Sequence, residues 1–443
     1  SFAKLGDELL LATLRVLGAR LSGRLACVSF VFRAFCYQEE LWREFCMEFI
    51  HSGTALSWVI DWRTSYSAAR IVPEKTQMTM KGRVYSDVLL RSFFYAAIKL
   101  HGSWLQDETL RRVDARDLSM EEFVAEFEHK STPVLLERGA EMWPALTLWS
   151  RETLTERFGS IDFACGPCEL PLRTFYAYAQ NNKDDAPLFV FDKHFPERAP
   201  EMLEEYSVPT VFKDRDLFSL LGEDRPDFRW LLIGNRRSGS KWHVDPNKTS
   251  AWNAVVCGRK RWLLLPPGCP PPGVHPSRDG AEVTQPLSLV EWFHSFYSQL
   301  KEIARTCPAW TLMEGTCHPG DVIFIPSGWW HCVLNLDEDT IAVTQNYASE
   351  VHVHNIRRFL REKPEQVSGI KDRSSLADRF DGALQAKRPD LLAERDPERS
   401  SVQVTSERTK FSFWDHLRST GKSLSCGPVA RETQQPAKRR RCD

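Results

Sequence analysis

No stretch of this 443-residue chain is apolar for long enough to cross a bilayer, and none reads as a secretory signal peptide. Charge of one sign is also lacking. The 58 Lys and Arg stand against 59 Asp and Glu, so no global field draws the protein to nucleic acid or a membrane surface. A disulfide framework is missing too, because the 12 Cys are scattered and fit a reducing compartment better than a stapled scaffold. No internal repeat is found. What is present is length enough for two or three domains, with 15 Trp and 26 Phe suited to a β-rich core with large aromatic layers.

One Cys pair, Cys165-Gly166-Pro167-Cys168, copies the thioredoxin redox tetrad in letters. A redox thiol needs a helix opening at the first Cys to lower its pKa. Here Glu-Leu-Pro-Leu-Arg follows, so the segment reads as a plain loop.

Residues 1–50 read as short helices. Leu5, Leu9, Leu10, Leu14 and Leu17 recur at helical spacing, followed by Leu21, Leu25, Val28, Phe32 and Phe35, then Leu41, Trp42 and Phe45. This order resembles an F-box, with Gly6 where the usual opening has Pro. The resemblance implies docking to the Skp adaptor of a ubiquitin ligase through a helix face. A generic helical hairpin packed on the rest of the chain is the other reading. Residues 51–115, with Trp58, Trp62 and Trp104 among polar stretches, read as a mixed connector.

From 116 the pattern changes. Ser119 followed by Glu122 has the look of a capping box. Helical Ser150–Phe158 follows a short strand at Pro133–Leu136. Further short strands are expected at 161–164, 187–191, 229–234, 251–257, 259–265, 322–326, 331–335 and 340–346. Many short strands punctuated by Pro and Gly suggest a sandwich or barrel. Helical composition returns within 366–396. The remainder, 397–443, is a polar tail with one apolar island at Phe411–Trp414 and a basic end, Lys438–Arg441. That run reads equally as a nuclear signal, giving a nuclear or nucleocytoplasmic protein, or as a solvated tail.

His243-Val244-Asp245, answered downstream by His331, carries the chemistry. A His and an Asp two apart on a strand share a face. A second His from another strand would complete a 2-His-1-carboxylate triad, which holds Fe(II) with coordination positions left open. His-x-Asp alone is a weak signal, but its setting is specific. Pro246 ends the first strand, and Pro319-Gly320-Asp321 turns into the buried Val322–Ile325 run. Ser327-Gly328-Trp329-Trp330 then delivers His331. Lys260 starts a strand after what looks like a tight hairpin turn at Gly258-Arg259, on the face of Trp262 and Leu264. A Lys there is costly unless paired, or else lies on a solvated edge among Arg259 and Arg261.

Across about residues 116–350, within a domain read as 116–365, the chain resembles a Jumonji C (JmjC) 2-oxoglutarate oxygenase of the phosphatidylserine-receptor-type protein hydroxylase branch. The resemblance rests on His243-Val-Asp-Pro, Thr249-Ser-Ala-Trp-Asn253, Gly258-Arg-Lys260-Arg-Trp, Gly328-Trp-Trp-His331, Asn335-Leu-Asp and Ile341-Ala-Val-Thr344-Gln-Asn. It implies an α+β chain, with a double-stranded β-helix (a cupin or jelly-roll barrel) between the N-terminal helices and C-terminal helices. It also implies His243, Asp245 and His331 as iron ligands, with 2-oxoglutarate and dioxygen as cosubstrates. Lys260 and Thr344 would then hold the distal carboxylate of 2-oxoglutarate, Asn253 would bond it near the iron, and Ser240 would lie near the substrate. Phe189 is a departure, since the family stretch has Tyr there; one lost neutral hydrogen bond costs about 1 kcal/mol. His352 and His354 read as surface residues and His318 as exposed.

The implied activity is a dioxygenase acting on protein side chains, by lysyl hydroxylation or arginine N-demethylation, with 2-oxoglutarate converted to succinate. A different class is also open: a ubiquitin-ligase substrate receptor whose barrel only binds its target. A nucleic-acid-associated cupin has only the basic tail and scattered Arg in its favour.

Overall fold

The computed structural model describes residues 5–68 and 84–393, which lie in one compact unit. The tail with Phe411–Trp414 and Lys438–Arg441 falls outside the described residues.

Two facing β-sheets form the centre. Their strands are β1 (Arg112–Asp114), β2 (Val134–Glu137), β3 (Val190–Asp192), β4 (Arg229–Gly234), β5 (Gly239–His243), β6 (Ser250–Cys257), β7 (Lys260–Leu265), β8 (Met313–Cys317), β9 (Val322–Ile325), β10 (Trp330–Asn335) and β11 (Thr340–Tyr347). The seven-stranded sheet runs β1-β2-β9-β6-β11-β4-β3 and the four-stranded sheet β8-β7-β10-β5. Only β1 and β2 pair in parallel; the other pairings within the two sheets are antiparallel. This is the double-stranded β-helix expected above.

Strand alternation sorts the side chains. Ala251 and Val255 on β6 join Trp262, Leu264, Ile323 and Val333 in one buried cluster between the sheets. Trp252, Ala254 and Val256 face the other way, into the cluster beneath the surrounding helices. Asn253 therefore shares the inward face of β6. The same parity puts Lys260 with Trp262 and Leu264 on β7, and His331, Val333 and Asn335 on one face of β10.

Two expectations are corrected. The turn at Gly258-Arg259 is not a hairpin, because β6 and β7 belong to different sheets and the chain crosses between them there. Gly258 has φ 70°, and a Cβ on it would lie 2.2 Å from the Asp339 carbonyl oxygen. The connector read to end at 115 already contributes β1, and Thr109 N–H bonds to the Glu314 carbonyl on β8.

At the N-terminus, α1 (Asp7–Leu25), α2 (Phe30–Cys36) and α3 (Glu39–His51) pack together. Ser29 caps α2 by accepting from Phe32 N–H. Leu10, Leu11 and Leu14 face inward with Phe35, Leu41, Trp42 and Phe45, whereas Leu5 and Leu9 of the expected stripe face outward. Gly18, at φ 74°, breaks the regularity of α1. The module is seated on the barrel through Asp184. Trp62 Nε1–H donates to that carboxylate at 3.1 Å, and Trp58 packs edge-on against Tyr178.

The capping box at Ser119 and Glu122 is formed, and α4 (Arg151–Phe158) begins at the Ser150 cap. A helix not read from the sequence, α5 (Leu289–Thr306), covers the outer face of the small sheet. Its Val290, Trp292, Phe293 and Tyr297 bury against Trp242, Leu263, Leu265 and Leu334. Each fully buried side chain of this size contributes about 1.5–3 kcal/mol. Two further helices, α6 (Val353–Glu362) and α7 (Leu376–Lys387), close the C-terminal side. Cys165 and Cys168 face each other across a β-turn rather than opening a helix, and burial pushes the Cys168 thiol up to about 11. The pair therefore closes a tight hairpin, with each Cys ending a strand, rather than lying in a plain loop.

Candidate active site

β5 and β10 are neighbours, and His243 lies directly opposite His331. Further along, Ser240 opposes Val333, so three steps on β5 match two on β10. That β-bulge places Ser240 and His243 on the same inward face despite their odd spacing. Asp245 is not on the strand, which ends at His243; it sits in the extended exit before Pro246, at φ −60° and ψ 143°. The turn carrying it is tethered. Asn247 exchanges two 3.0 Å hydrogen bonds with the backbone of Ser368, and the Thr249 hydroxyl donates to the Pro246 carbonyl.

The three ligand atoms lie within 4.8 Å of one another. His331 Nε2 is 4.0 Å from Asp245 Oδ1, and the two imidazole centroids are 4.2 Å apart. Each ring is oriented from behind. His243 Nδ1–H donates to the Lys241 carbonyl at 2.7 Å, and His331 Nδ1–H to the Trp329 carbonyl at 3.1 Å. Those bonds leave both Nε2 lone pairs for a cation. Burial, with His243 adding to it, pushes the His331 imidazole down to about 4, so it is neutral near pH 7. Asp245 Oδ2 is buried without a hydrogen-bond partner among the described residues. Two imidazole Nε2 atoms and a carboxylate with an unsatisfied oxygen on one side suit a divalent metal with open positions opposite. Among the described residues no other group of three His, Cys, Asp or Glu converges in this way.

Lys260 is 3 % exposed and has no hydrogen bond or ion pair among the described residues; burial pushes its ammonium down to about 8. It is not on a solvated edge. Arg261, its neighbour, is fully buried on the opposite face against Glu314, 2.8 Å away. Asn335 opposes Lys260, and Leu264 opposes His331, four residues further along β7. That separates the cation from the triad by about 13 Å of strand. A lysine side chain and a five-carbon diacid together bridge such a gap.

Asn253 is buried, with its Oδ1 unpartnered among the described residues. Thr344 lies opposite Asn253 on β11, but its hydroxyl donates to the Trp252 carbonyl at 2.8 Å. A hydroxyl has one proton, so Thr344 donates to a ligand carboxylate only by releasing that bond. Phe189 flanks Gly234 at the lysine end, beside Asn335 and Ser238, and brings no polar atom. Ser240 is half-buried. His352 and His354 are not surface groups, since the Nε2 of each is buried; neither joins the triad. His318 is exposed, as expected. The sequence reading gave no role to Trp262 or Asn335, which share the inward face with Lys260. The alternation that selected Lys260 would have selected Trp262 as well.

Comparison with known proteins agrees with this geometry. Residues 168–352 match the Cupin-like domain family. The chain is 40 % identical over 427 residues to the arginine-specific demethylase JMJ22 of Arabidopsis thaliana, covering 94 % of this chain and 82 % of that protein. It is 36 % identical over 298 residues to the bifunctional arginine demethylase and lysyl-hydroxylase psr-1 of Caenorhabditis elegans, covering 64 % and 70 %. It is 34 % identical over 156 residues to the 2-oxoglutarate and iron-dependent oxygenase JMJD4 of Homo sapiens, covering 34 % of each.

Proposed function

The chain belongs to the JmjC family of cupin-like, iron- and 2-oxoglutarate-dependent oxygenases, and from that premise we propose that it oxidises a C–H bond on a protein side chain. The targets are lysine, which gains a hydroxyl group, or N-methylarginine. A hydroxylated N-methyl carbon leaves as formaldehyde, so one reaction type accounts for both outcomes. Relatives named as arginine demethylases and a lysyl-hydroxylase support this substrate class. The observation that carries the reading is a single inward face with the three metal donors at one end and unpaired Lys260 at the other.

Iron bound at the triad would activate dioxygen against 2-oxoglutarate, placing one oxygen atom in the substrate C–H bond and the other in succinate, with release of carbon dioxide. The protein's part is position and shielding. His243, Asp245 and His331 hold the metal on one side. Lys260 pairs with the distal carboxylate, which brings the keto acid end toward the triad. Asn253 orients it, and the apolar wall of Ala251, Val255, Ile323 and Val333 excludes water. Ser240, across the bulge from His243 on the same inward face, borders the substrate.

The N-terminal module supplies a second proposal, docking of a Skp-type adaptor. Its support is an outward apolar set: Leu9 is 61 % exposed, Val16 89 % and Val28 67 %. Loss of residues 1–50 with unchanged adaptor binding would remove this proposal. A nuclear or nucleocytoplasmic location is proposed from the Lys438–Arg441 run alone. No helix among the described residues is long and apolar enough to cross a membrane.

The test of the main reading is Asp245→Ala. It should end succinate formation from 2-oxoglutarate, and equal turnover by variant and parent would overturn the triad assignment. Mass spectrometry of candidate proteins then separates the chemistries: gain of one oxygen on Lys, or loss of one CH₂ from methyl-Arg.

A further inference from the structure

We propose that the indole N–H of Trp262 is a ligand of 2-oxoglutarate, donating a hydrogen bond to its distal carboxylate between Lys260 and the triad. This rests on the cosubstrate reading above and deepens it.

The register sets the position. On β10, Asn335 opposes Lys260, Val333 opposes Trp262 and His331 opposes Leu264. Trp262 thus stands midway along the inward face that joins the cation to the metal donors. A diacid anchored at Lys260 and reaching the triad must pass it. The indole is 3 % exposed, with its ring 6.0 Å from that of His331 and inclined by 28°.

Its polar atom is left over. Trp262 Nε1 is buried with no acceptor among the described residues. An indole N–H is a donor only, so no tautomer or rotation satisfies it by accepting. Several other buried indoles are satisfied: Trp42 donates to the Cys36 carbonyl, Trp149 to Glu205, Trp292 to the Pro272 carbonyl and Trp329 to the Ser131 carbonyl. Among the described residues, two other fully enclosed indole nitrogens are unpartnered, those of Trp58 and Trp242, and both lie outside the barrel interior. Around Trp262 the cluster is Ala251, Val255, Leu264, Ile323 and Val333, all apolar. No side chain of the inward face accepts from it, although Asn253 Oδ1 and Asn335 Oδ1 there are themselves unpartnered; a bound carboxylate would accept. Phe189, beside Asn335 at the same end, has no hydroxyl to share that task.

The experiment is Trp262→Phe, which keeps a ring on the wall and removes the N–H. Binding is read by calorimetry with Zn(II) in place of iron, using 2-oxoglutarate and, as a control, 2-oxobutyrate, which lacks the distal carboxylate. The dissociation constant for 2-oxoglutarate should rise about tenfold, the loss of one charge-accepted hydrogen bond. The constant for 2-oxobutyrate should be the same in both proteins. In the Zn(II)-loaded parent, one indole ¹H–¹⁵N resonance should move downfield on adding 2-oxoglutarate and stay in place on adding 2-oxobutyrate. This reading needs only the parent protein, so it stands even if the variant folds poorly. An unmoved resonance, or parental affinity in Trp262→Phe, would overturn the inference. If the parent itself bound no 2-oxoglutarate, the cosubstrate reading would fail instead.

Discussion

Replacing Lys260 with Met should stabilise the ligand-free protein while crippling its cosubstrate site. The ammonium sits in the barrel with no counter-charge, and burial brings its pKa from 10.5 to about 8. At 1.36 kcal/mol per unit, keeping that charge inside costs about 3 kcal/mol. Below about pH 8 both folded and unfolded chains bind the proton, so the cost is present in full. Between pH 8 and 10.5 the unfolded chain keeps a proton that the folded one releases, so stability rises with pH. Met is similar in length and carries no charge. Urea denaturation at pH 7 should therefore show the variant about 1–3 kcal/mol more stable, with the gap closing toward pH 10. On the proposed cosubstrate reading, the same substitution removes the partner of the distal carboxylate. Affinity for 2-oxoglutarate should fall by at least about thirtyfold, or ~2 kcal/mol. In the parent, affinity should also weaken above about pH 8, where the amine loses its proton. A variant less stable than the parent at pH 7, with parallel pH profiles, would refute the claim that the charge is unpaired. Unchanged affinity would refute its role as the anchor.

Three further outcomes follow from the geometry. Arg261→Met leaves Glu314, fully buried, with only Lys301 and the Tyr297 hydroxyl, and should cost about 3 kcal/mol in urea denaturation. Gly258→Ala drives a Cβ into the Asp339 carbonyl at positive φ, and should lower stability by at least about 2 kcal/mol, read as a fall in Tm. Asp184→Ala removes the acceptor shared by Trp62, Arg43 and Tyr178, so the α1–α3 module should become protease-sensitive before the barrel does.

The sequence revealed strands where both faces are apolar as well as buried. Val322–Ile325 and Thr340–Tyr347 are apolar enough to be bounded within a residue. β8 was hidden because its Glu314 and Thr316 look like surface residues, yet both are buried by the Arg261 network. Helix α5 was legible in principle, from Val290, Phe293, Tyr297 and Leu300 at helical spacing, but its charged face masked the stripe. In the site, Lys260 could be placed because a charge amid apolar alternation is costly and therefore informative. The hydroxyl of Thr344 could not be, since its bond to the Trp252 carbonyl depends on which side of β6 it meets.

Spacing selected three residues that do converge, but by an incomplete route. Two residues apart on a strand predicts a shared face for His243 and Asp245, but only His243 is on the strand. What aims His243 inward with Ser240 is the bulge at Lys241-Trp242, where one β10 residue, Cys332, meets two. Trp242 is then free to bury among Trp292 and Leu334 outside the barrel, while the Lys241 carbonyl accepts the Nδ1 proton of His243. The extra residue therefore sets the direction of the ring, and its hydrogen bond sets the tautomer. A strict period-two strand would put Ser240 and His243 on opposite faces. The irregularity is therefore part of how β5 presents a metal ligand, with the tethered turn at Asn247 bringing Asp245 to meet it.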